Sequence, residues 1–368
     1  MKKAVYAGSF DGMTNGHLWM VKQGSKLFDE LIVAVGTNPE KKRGCTFSLD
    51  ERYDMAKRVI RDFPNVKADH FENQYLVRYA KSVGAQYLLR GIRCEEDYEY
   101  ERGTRYGNRA MDPTIETVFL IPPKNLTEIK SSFVKGMVGY EGWESQVKKR
   151  VPRPVYKKFL ESFDGNLMQW NSLWERIGAQ GDSKEVYDKL KGMYSEPHRA
   201  YHDMPHIADS LEEFESVRHL AQMPCKVEMA IWMHDPIYDT HRNDNEIMSA
   251  MLAEEILTKA KLPESFIRGV KDNILATTHK FFPATNDTKL ITSIDLVPLG
   301  KSAQIFKENE RNIREEFSWA SDEQYRAGRK EFAQGFLERP SIYPHAHFKQ
   351  KYEDRAKRNL ENLVKDLQ

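Results

Sequence analysis

Short apolar segments alternate with amphipathic stretches between residue 3 and about residue 139 of the chain. Apolar segments of this length are typical of buried β-strands, and the stretches between them have the apolar spacing of helices. Strands that alternate with helices pair in parallel through right-handed crossovers, which place helices on both faces of the sheet. The sequence therefore predicts an α/β domain with a doubly wound parallel sheet. The predicted strands contain KAVYAG, LIVAVG, VKADHF, AQYLLRG and ETVFLIPP.

The pattern changes after about residue 140. Glycine, proline and a basic run interrupt it in residues 141–166, and such a composition is typical of a linker. From residue 167 onward the strand signals stop, and apolar residues recur with helical spacing, as in VYDKLKGMY, HIADSLEEF and NLENLVKDL. We therefore expect two domains, residues 1–140 and residues 167–368, of which the second is all-α.

Length, charge and cysteine content narrow the class of protein. With 368 residues, 40% of them hydrophobic, the chain can bury two cores. Its 56 basic and 55 acidic residues leave a formal net charge of +1, so neither nucleic acid nor a membrane is expected as a partner. The sequence contains no run of about 18 apolar residues, so no membrane span is predicted. The three cysteines are widely separated, which suits a reducing compartment, so we expect a cytoplasmic location.

The loop GSFDGMTNGH joins the first predicted strand to the first predicted helix. Ser9 stands at the end of the strand, and Gly16 and His17 open the helix. In an open parallel sheet, ligands bind beyond this edge, and a helix N-terminus attracts anions. His17 would then donate a hydrogen bond to a phosphoryl oxygen. A glycine-rich turn with an exposed histidine explains the loop equally well, so other segments have to decide.

Cationic and hydroxyl groups follow other predicted strands of the same half or open its last helix. They are Lys41, Lys42, Arg90, Arg93, Ser131 and Ser132. Each charged run by itself fits a solvated surface. The ends of parallel strands meet at one edge of the sheet, however, and convergent groups of this kind suit a polyphosphate ligand.

Five motifs in the first half resemble a known family. GSFDGMTNGH, RGIR, DYEYE, GNRAM and SSFVK, in this order and spacing, are similar to bacterial phosphopantetheine adenylyltransferase of the nucleotidyltransferase superfamily, over about residues 1–140. The resemblance implies a Rossmann-like fold and a reaction in which 4′-phosphopantetheine attacks the α-phosphate of ATP, giving dephospho-CoA and pyrophosphate. It also implies Mg²⁺ bound with ATP, CoA-related ligands and a homo-oligomer, with a hexamer as the expected form.

The resemblance assigns roles to residues by their position in the motifs. His17 would stabilise the pentacoordinate α-phosphate, and Lys41 and Arg90 would hold the phosphate of phosphopantetheine. Ser9 would contact the phosphates of both substrates, and Phe10 is a further binding residue. The residues expected to bind ATP are Arg93, Glu101, Ser131 and Ser132, and those expected along the pantetheine arm are Leu76 and Asn108.

The chain departs from the family pattern at several positions. Gly12 stands where the family usually has proline, and Lys130 stands where it usually has serine. The loop after Lys42 is slightly longer than usual, so both Lys41 and Lys42 are candidates for the phosphate contact. Enzymes that adenylylate nicotinamide mononucleotide share the first and last motifs, and that substrate is the alternative, although TNGH and RGIR favour phosphopantetheine.

Histidine and aspartate occur in apolar surroundings in the second half. His234 and Asp235 end the apolar helix VEMAIWMHD, and Asp295 lies within LITSIDLVPLG. Poorly hydrated groups of this kind need a partner, and one cation would satisfy all of them. His206 precedes His234 by 28 residues and lies four residues after His202. Each residue could instead be an ordinary polar residue in an ion pair, but together they suit a divalent metal with nitrogen and oxygen ligands.

The motifs HRAYHDMPHI, MHDPIYDTHRNDNEIMSA and TTHK resemble the HD superfamily of metal-dependent phosphohydrolases, over about residues 167–368. The resemblance implies an HD-like domain and a divalent metal of unspecified identity. It implies four ligands: His206, His234, Asp235 and Asp295. Glu246 and His279 are candidates for contacting the water or the phosphate. The whole chain would be a bifunctional fusion whose hydrolase substrate is not readable, and a non-catalytic nucleotide-sensing module is the alternative for this half.

Overall fold

The computed structural model describes residues 1–37, 45–280 and 282–367. The chain divides into two compact units, Met1–Phe163 and Asp164–Gln368. Each unit has its own hydrophobic core. Among the described residues, none of the helices has the length and hydropathy that a membrane crossing requires.

A five-stranded parallel sheet forms the centre of the first unit. Its strands are β1 (Lys3–Gly8), β2 (Glu30–Gly36), β3 (Val66–Phe71), β4 (Tyr87–Gly91) and β5 (Glu116–Leu120). They are ordered β3-β2-β1-β4-β5, so the direction of winding reverses between β1 and β4. Such a reversal opens a crevice at the carboxyl ends of the strands. The predicted parallel α/β sheet is confirmed.

Eight helices surround or follow this sheet in the described part of the first unit. They are α1 (Asn15–Leu27), α2 (Leu49–Ile60), α3 (Leu76–Ser82), α4 (Glu95–Met111), α5 (Lys124–Thr127), α6 (Ser131–Gly136), α7 (Trp143–Lys148) and α8 (Arg153–Ser162). The start of α2 is fixed by a capping box, because Ser48 and Glu51 each bind the other's backbone N–H through their side chains. Apolar side chains of β1, β2 and β4 pack against α3, and Val5, Ile32, Val77 and Leu88 are almost fully buried there.

The segment 141–166, which its composition assigns to a linker, is largely helical. It contains α7 and α8, and the division between the units falls after Phe163. Trp143, Val147 and Phe159 are buried in the first unit. Prolines are tolerated in the first turn of a helix, and two prolines lie at the start of α8. A prediction from composition interprets these prolines as part of a linker, although they belong to the start of a helix.

The described part of the second unit is helical, without strands. Its helices are α9 (Leu167–Arg176), α10 (Ser183–Tyr194), α11 (Met204–Val217), α12 (Pro224–Met233), α13 (Asn245–Lys259), α14 (Glu264–Ala276), α15 (Asn286–Asp295), α16 (Ala303–Glu316), α17 (Asp322–Leu337) and α18 (Ala346–Asp366). Short 3₁₀ segments occupy Arg218–Leu220 and Val297–Gly300.

Helix α12 lies at the centre of the second unit. It packs against α9, α11, α14 and α15, which explains why all its residues from Val227 to Met233 are buried and, apart from Glu228, apolar. Trp232 is fully buried, with its ring 5.3 Å from the ring of Trp170 between centroids. His234 follows the last residue of this helix, so its imidazole lies at the end of the buried core.

Candidate functional site

A cavity of about 480 Å³ opens at the carboxyl ends of the central strands of the first unit. Strand-end glycines of β1, β2 and β4 form part of its lining. The lining also contains seven residues that the sequence singles out: Ser9, Phe10, His17, Leu76, Arg90, Arg93 and Glu101. The fold therefore brings together groups that are far apart in the chain, while their individual roles stay predictions.

Three other predicted residues that the structure describes do not line this cavity. Asn108 is buried within α4, and Ser132 is exposed at the start of α6. The hydroxyl of Ser131 donates to the Gly12 carbonyl at 2.8 Å, so it binds the loop after β1. Lys41 lies outside the described residues, as does Lys42.

His17 lies in the first turn of α1, and its hydrogen bonds define which ring nitrogen carries the proton. The backbone N–H of Thr14 donates to His17 Nδ1 at 2.9 Å, so Nδ1 is an acceptor. In a neutral ring the proton then lies on Nε2. The Thr14 hydroxyl donates to the Ile129 carbonyl at 3.2 Å, which joins the start of α1 to the segment before α6. The fold thus presents His17 as a hydrogen-bond donor through Nε2.

Phe10 holds the loop after β1 close to His17. Its φ of 44° lies in the left-handed region, which is uncommon for a bulky residue and persists where packing determines the backbone. The ring is buried, 5.3 Å from the Tyr6 ring and 5.5 Å from the His17 ring between centroids. A Cβ at Gly8 would lie 3.2 Å from this ring, so glycine permits the close packing.

Two arginines near the end of β4 line the cavity together with carboxylate partners. Arg90 Nε donates to Glu101 Oε2 at 2.8 Å, and Arg90 Nη1 donates to the Ala7 carbonyl at 2.9 Å. Arg93 Nε donates to Asp97 Oδ2 at 2.7 Å. Burial lowers the pKa of Arg90, but the bonds to Glu101 outweigh burial and raise it. The sequence assigns Arg90 and Glu101 to different ligands, whereas the structure makes them one ion pair.

Arg52 is a buried residue that sequence reasoning missed. Its Nη1 donates to the carbonyls of Ser9 at 2.5 Å and Gly36 at 3.0 Å, at the ends of β1 and β2. Its Nε donates to the Phe47 carbonyl at 3.2 Å. Arg52 therefore fixes two strand ends and the start of α2 relative to one another. Its sequence surroundings read as an ordinary amphipathic helix, so they contain no signal for this role.

Asp11 was also missed, although it lies inside the loop motif. It is only 1% exposed, and its carboxylate accepts the backbone N–H groups of Thr46 and Phe47 at 3.1 Å and 3.0 Å. It also pairs with Lys135. Burial raises the pKa of Asp11, but the bonds from Lys135 and the backbone outweigh burial and hold it below the ordinary value. Its position within the motif GSFDGMTNGH is the feature of the sequence that could have indicated a role for Asp11 in this loop.

Gly12 and Phe159 lie in close contact. Gly12 has a φ of +82°, which proline cannot adopt. A Cβ at Gly12 would lie 3.1 Å from the ring of Phe159, which is fully buried on α8. The Phe159 ring meets Phe47 edge-on, with centroids 5.4 Å apart. Glycine at this position therefore allows an α8 side chain to pack directly on the loop.

We expect Phe159→Ala to lower the free energy of unfolding of the first unit by about 3–5 kcal/mol, because the truncation leaves a cavity beside the loop. Phe133→Ala is the control, since Phe133 is 52% exposed. Its effect should stay within about 0.5 kcal/mol. Urea unfolding of the full chain, followed by circular dichroism, measures both. Similar losses for the two variants would contradict the packing role of Phe159.

The four predicted metal ligands converge in the second unit. His206 Nε2 and His234 Nε2 are 3.1 Å apart, and Asp235 Oδ2 is 3.3 Å from His234 Nε2. Asp295 Oδ1 is 3.5 Å from His206 Nε2 and 3.6 Å from His234 Nε2. Atoms that ligate one ion at about 2.0–2.2 Å lie about 3–3.5 Å from one another, so this spacing fits a metal. We call these four residues the metal cluster.

The hydrogen bonds of His234 also fit ligation. Its Nδ1 lies 2.9 Å from the Ile231 carbonyl, so Nδ1–H is the donor and the Nε2 lone pair is directed to the cluster. Burial lowers the pKa of His234, but Asp235 and Asp295 outweigh burial and raise it to about 9. Carboxylates that stabilise positive charge on an imidazole also favour a divalent cation. The donor set therefore fits a metal of mixed nitrogen and oxygen preference.

A cavity of about 980 Å³ adjoins the metal cluster, and we call it the second cavity. Glu246 and His279 line it, as do Asp235 and Asp295. His279 Nε2 lies 2.9 Å from Asp295 Oδ2. Burial raises the pKa of Glu246, and the charges of Asp235 and Asp295 raise it further. His202 also lines the cavity, but its ring pairs with a different residue.

That residue is Glu316, which sequence reasoning missed. Glu316 Oε2 is 2.8 Å from His202 Nδ1, and Oε1 accepts three successive backbone N–H groups, those of Ala200, Tyr201 and His202. Burial raises the pKa of Glu316, but His202 and the backbone bonds outweigh burial and lower it to about 2. Glu316 follows Ala200 by 116 residues, so no local pattern indicates the contact. It fixes the segment that leads into α11 and His206.

The chain is similar to proteins of known family. A family described as cytidylyltransferase-like matches residues 5–137. A phosphopantetheine adenylyltransferase of Chromobacterium violaceum is 54% identical over 163 residues, which are 44% of this chain and 98% of that protein. One of Neisseria meningitidis serogroup B is 51% identical over 159 residues, 43% of this chain and 92% of that protein. One of Dictyoglomus thermophilum is 41% identical over 163 residues, 44% of this chain and 96% of that protein.

Proposed function

The chain belongs to the phosphopantetheine adenylyltransferase family, and from this premise we propose that its first unit transfers AMP from ATP to 4′-phosphopantetheine. The products are dephospho-CoA and pyrophosphate, so the reaction is a step of coenzyme A synthesis. The observation that carries the proposal is the donor geometry of His17. Its Nε2 bears the ring proton in a cavity that also contains Arg90 and Arg93.

The proposed reaction makes one phosphorus–oxygen bond and breaks another. An oxygen of the 4′-phosphate bonds to the α-phosphorus of ATP. The bond from that phosphorus to the oxygen bridging the α- and β-phosphates breaks, and pyrophosphate leaves. The attacking phosphate is already an anion, so no residue has to remove a proton. Positioning and charge stabilisation are then the main tasks of the protein.

The residues of the cavity divide these tasks. His17 would donate Nε2–H to an α-phosphate oxygen as negative charge develops there, and the Ser9 hydroxyl would contact the phosphates. Arg90 and Arg93 would bind phosphate oxygens through their planar guanidinium groups, and Lys41 would do so through its ammonium group. Bound with ATP, Mg²⁺ would neutralise charge on the phosphate oxygens. We keep the hexamer as the proposed form of assembly.

We expect His17→Ala to lower the kcat of pyrophosphate release on the order of a hundredfold, because a preorganised donor to the transition state is lost. The KM for ATP should change little, because this donor acts chiefly in the transition state. His17→Gln retains an N–H donor and should keep more activity than His17→Ala. The measurement is a steady-state assay with ATP, Mg²⁺ and phosphopantetheine.

The control for His17 is His70→Ala. His70 is an exposed histidine on β3 of the same unit, where its ring meets Tyr53 edge-on, and its removal should leave kcat unchanged. Circular dichroism of each variant separates loss of activity from loss of folding. A folded His17→Ala protein with the kcat of the parent chain would overturn the assignment.

We also propose that the second unit is a metal-dependent phosphohydrolase of the HD type. The observation that carries this proposal is the metal cluster, in which His206, His234 and Asp235 present ligand atoms close to one another, and Asp295 Oδ1 lies within 3.6 Å of both imidazole Nε2 atoms. A divalent metal bound there would polarise a phosphoryl oxygen and make water more acidic. Glu246 would orient the water, and His279 would orient Asp295 and contact the phosphate.

We expect Asp235→Asn to lower the bound metal at least about tenfold, because the variant keeps the shape of the side chain but loses a negative charge. Asp239→Asn is the matched control, since Asp239 is exposed four residues later. Elemental analysis of the full chain, after equilibration with Mn²⁺ or Zn²⁺ and gel filtration, measures metal content. Circular dichroism checks folding.

Two outcomes would change this assignment. A folded Asp235→Asn protein that keeps its metal would remove Asp235 from the ligand set. A parent chain that binds metal through Asp235 but hydrolyses no phosphate ester would favour the nucleotide-sensing module over the hydrolase.

A further inference from the structure

The second cavity is much larger than inorganic phosphate requires. Its volume of about 980 Å³ lies at the upper end of what pockets for small organic ligands occupy, about 300–1,000 Å³. Asp235 and Asp295 of the metal cluster form one part of the lining, and residues of α16 and α17 form another. A ligand with its phosphate at the cluster therefore has room for an organic group directed towards α16 and α17.

Two cations on the lining donate to backbone carbonyls and form no ion pair among the described residues, although the charge of the exposed Lys280 helps to lower the pKa of Asp244. Arg339 Nη2 donates to the His279 carbonyl at 2.7 Å, and Lys280 Nζ donates to the Asn243 carbonyl at 3.2 Å. Within the described ranges, neither cation has a carboxylate within ion-pair distance. Burial lowers the pKa of Arg339, as expected for a guanidinium that lacks a counterion. An anionic ligand would supply the missing charge.

The position of Arg339 relates this cationic region to the metal cluster. Arg339 binds the backbone of His279, and the His279 ring contacts the cluster residue Asp295. His279 has a φ of 55°, an uncommon backbone conformation that occurs often at functional sites. Two consecutive contacts, Arg339 with His279 and His279 with Asp295, thus connect the guanidinium to the cluster.

A second arginine on the same lining behaves differently. Arg329 Nε donates to Glu310 Oε2 at 2.8 Å, so its charge is balanced within the protein. The carboxylate of Glu331 also lies on the lining, but the residue is exposed. Of the two arginines on the described lining, Arg339 is therefore the one whose charge no carboxylate balances.

Phenylalanine rings form the apolar part of the second cavity. Phe306 and Phe336 are buried, whereas Phe317 and Phe332 are partly exposed. The rings of Phe332 and Phe336 lie 4.9 Å apart between centroids, and the Arg339 guanidinium lies 4.1 Å from the Phe336 centroid. Flat rings bind well against aromatic side chains, and a guanidinium beside them suits a group that is both aromatic and anionic.

We propose that the second cavity binds a phosphate ester whose organic part is a flat aromatic or heteroaromatic ring, with Arg339 and Lys280 contacting its phosphate and Phe332 contacting its ring. This inference rests on the proposed hydrolase function and specifies its substrate class. Simple sugar phosphates and inorganic phosphate would leave the phenylalanine wall without a ligand, so they should bind more weakly.

Naphthyl phosphate, glycerol phosphate and naphthol are the probes that test the proposal. Isothermal titration of the full chain, with and without Mn²⁺, should show tighter binding of naphthyl phosphate than of either other compound. Arg339→Gln should weaken the binding of naphthyl phosphate on the order of tenfold, because a charge-assisted contact is lost. Phe332→Ala should weaken the binding of naphthyl phosphate about fivefold and leave the binding of glycerol phosphate unchanged.

The control is Arg326→Gln, which removes an exposed arginine from α17, the helix that contains Phe332, and should leave binding unchanged. Metal content should be unaffected in all three variants, because none changes the metal cluster. Equal binding of naphthyl phosphate by the parent chain, Arg339→Gln and Phe332→Ala would overturn the inference, even if the Asp235 experiment supports the hydrolase. Arg339-dependent binding in a chain that holds no metal would support the inference and count against the hydrolase.

Discussion

Arg52 and Arg199 are almost completely buried, and each donates hydrogen bonds to several backbone carbonyl groups in loops and at the ends of strands and helices. Arg52 binds the loop after β1, the end of β2 and the start of α2. Arg199 donates to the carbonyls of His202, Asp235 and Pro236 at 3.0, 2.8 and 2.7 Å. A buried carbonyl without a hydrogen-bond donor destabilises the folded state, so these guanidinium groups stabilise the loop conformations. The positions of His17 and of the metal cluster depend on them.

Charge pairing governs how each site can receive an anion. In the first unit, Arg90 and Arg93 already bind Glu101 and Asp97, so a phosphate would share or replace those carboxylates. In the second unit, the metal cluster contains the carboxylates of Asp235 and Asp295, whereas the guanidinium of Arg339 forms no ion pair among the described residues. A phosphate at the first site would therefore exchange places with carboxylates, and under our proposal the second site would combine a cation-binding position with a nearby anion-binding position.

The sequence predicts the parts of the structure that local patterns encode. Strand and helix alternation predicts the sheet, and the motif around His17 predicts its place at the sheet edge. Glu316 and Arg52 could not be predicted, because their contacts join segments that are distant in the chain and polar residues on amphipathic helices look alike. Residues 141–166 were expected to form a linker because glycine and proline outweighed a short helical pattern there. Ser131 lies in its expected motif, yet it binds the loop backbone at Gly12 in this structure.

The most direct test of the central claim is substrate choice by the parent chain. The full-length protein would be incubated with ATP, Mg²⁺ and either phosphopantetheine or nicotinamide mononucleotide, with pyrophosphate measured and the nucleotide product identified by mass spectrometry. The account predicts pyrophosphate and dephospho-CoA in equal amounts with phosphopantetheine, and little turnover with nicotinamide mononucleotide. Pyrophosphate release with nicotinamide mononucleotide alone, or with neither compound, would contradict it.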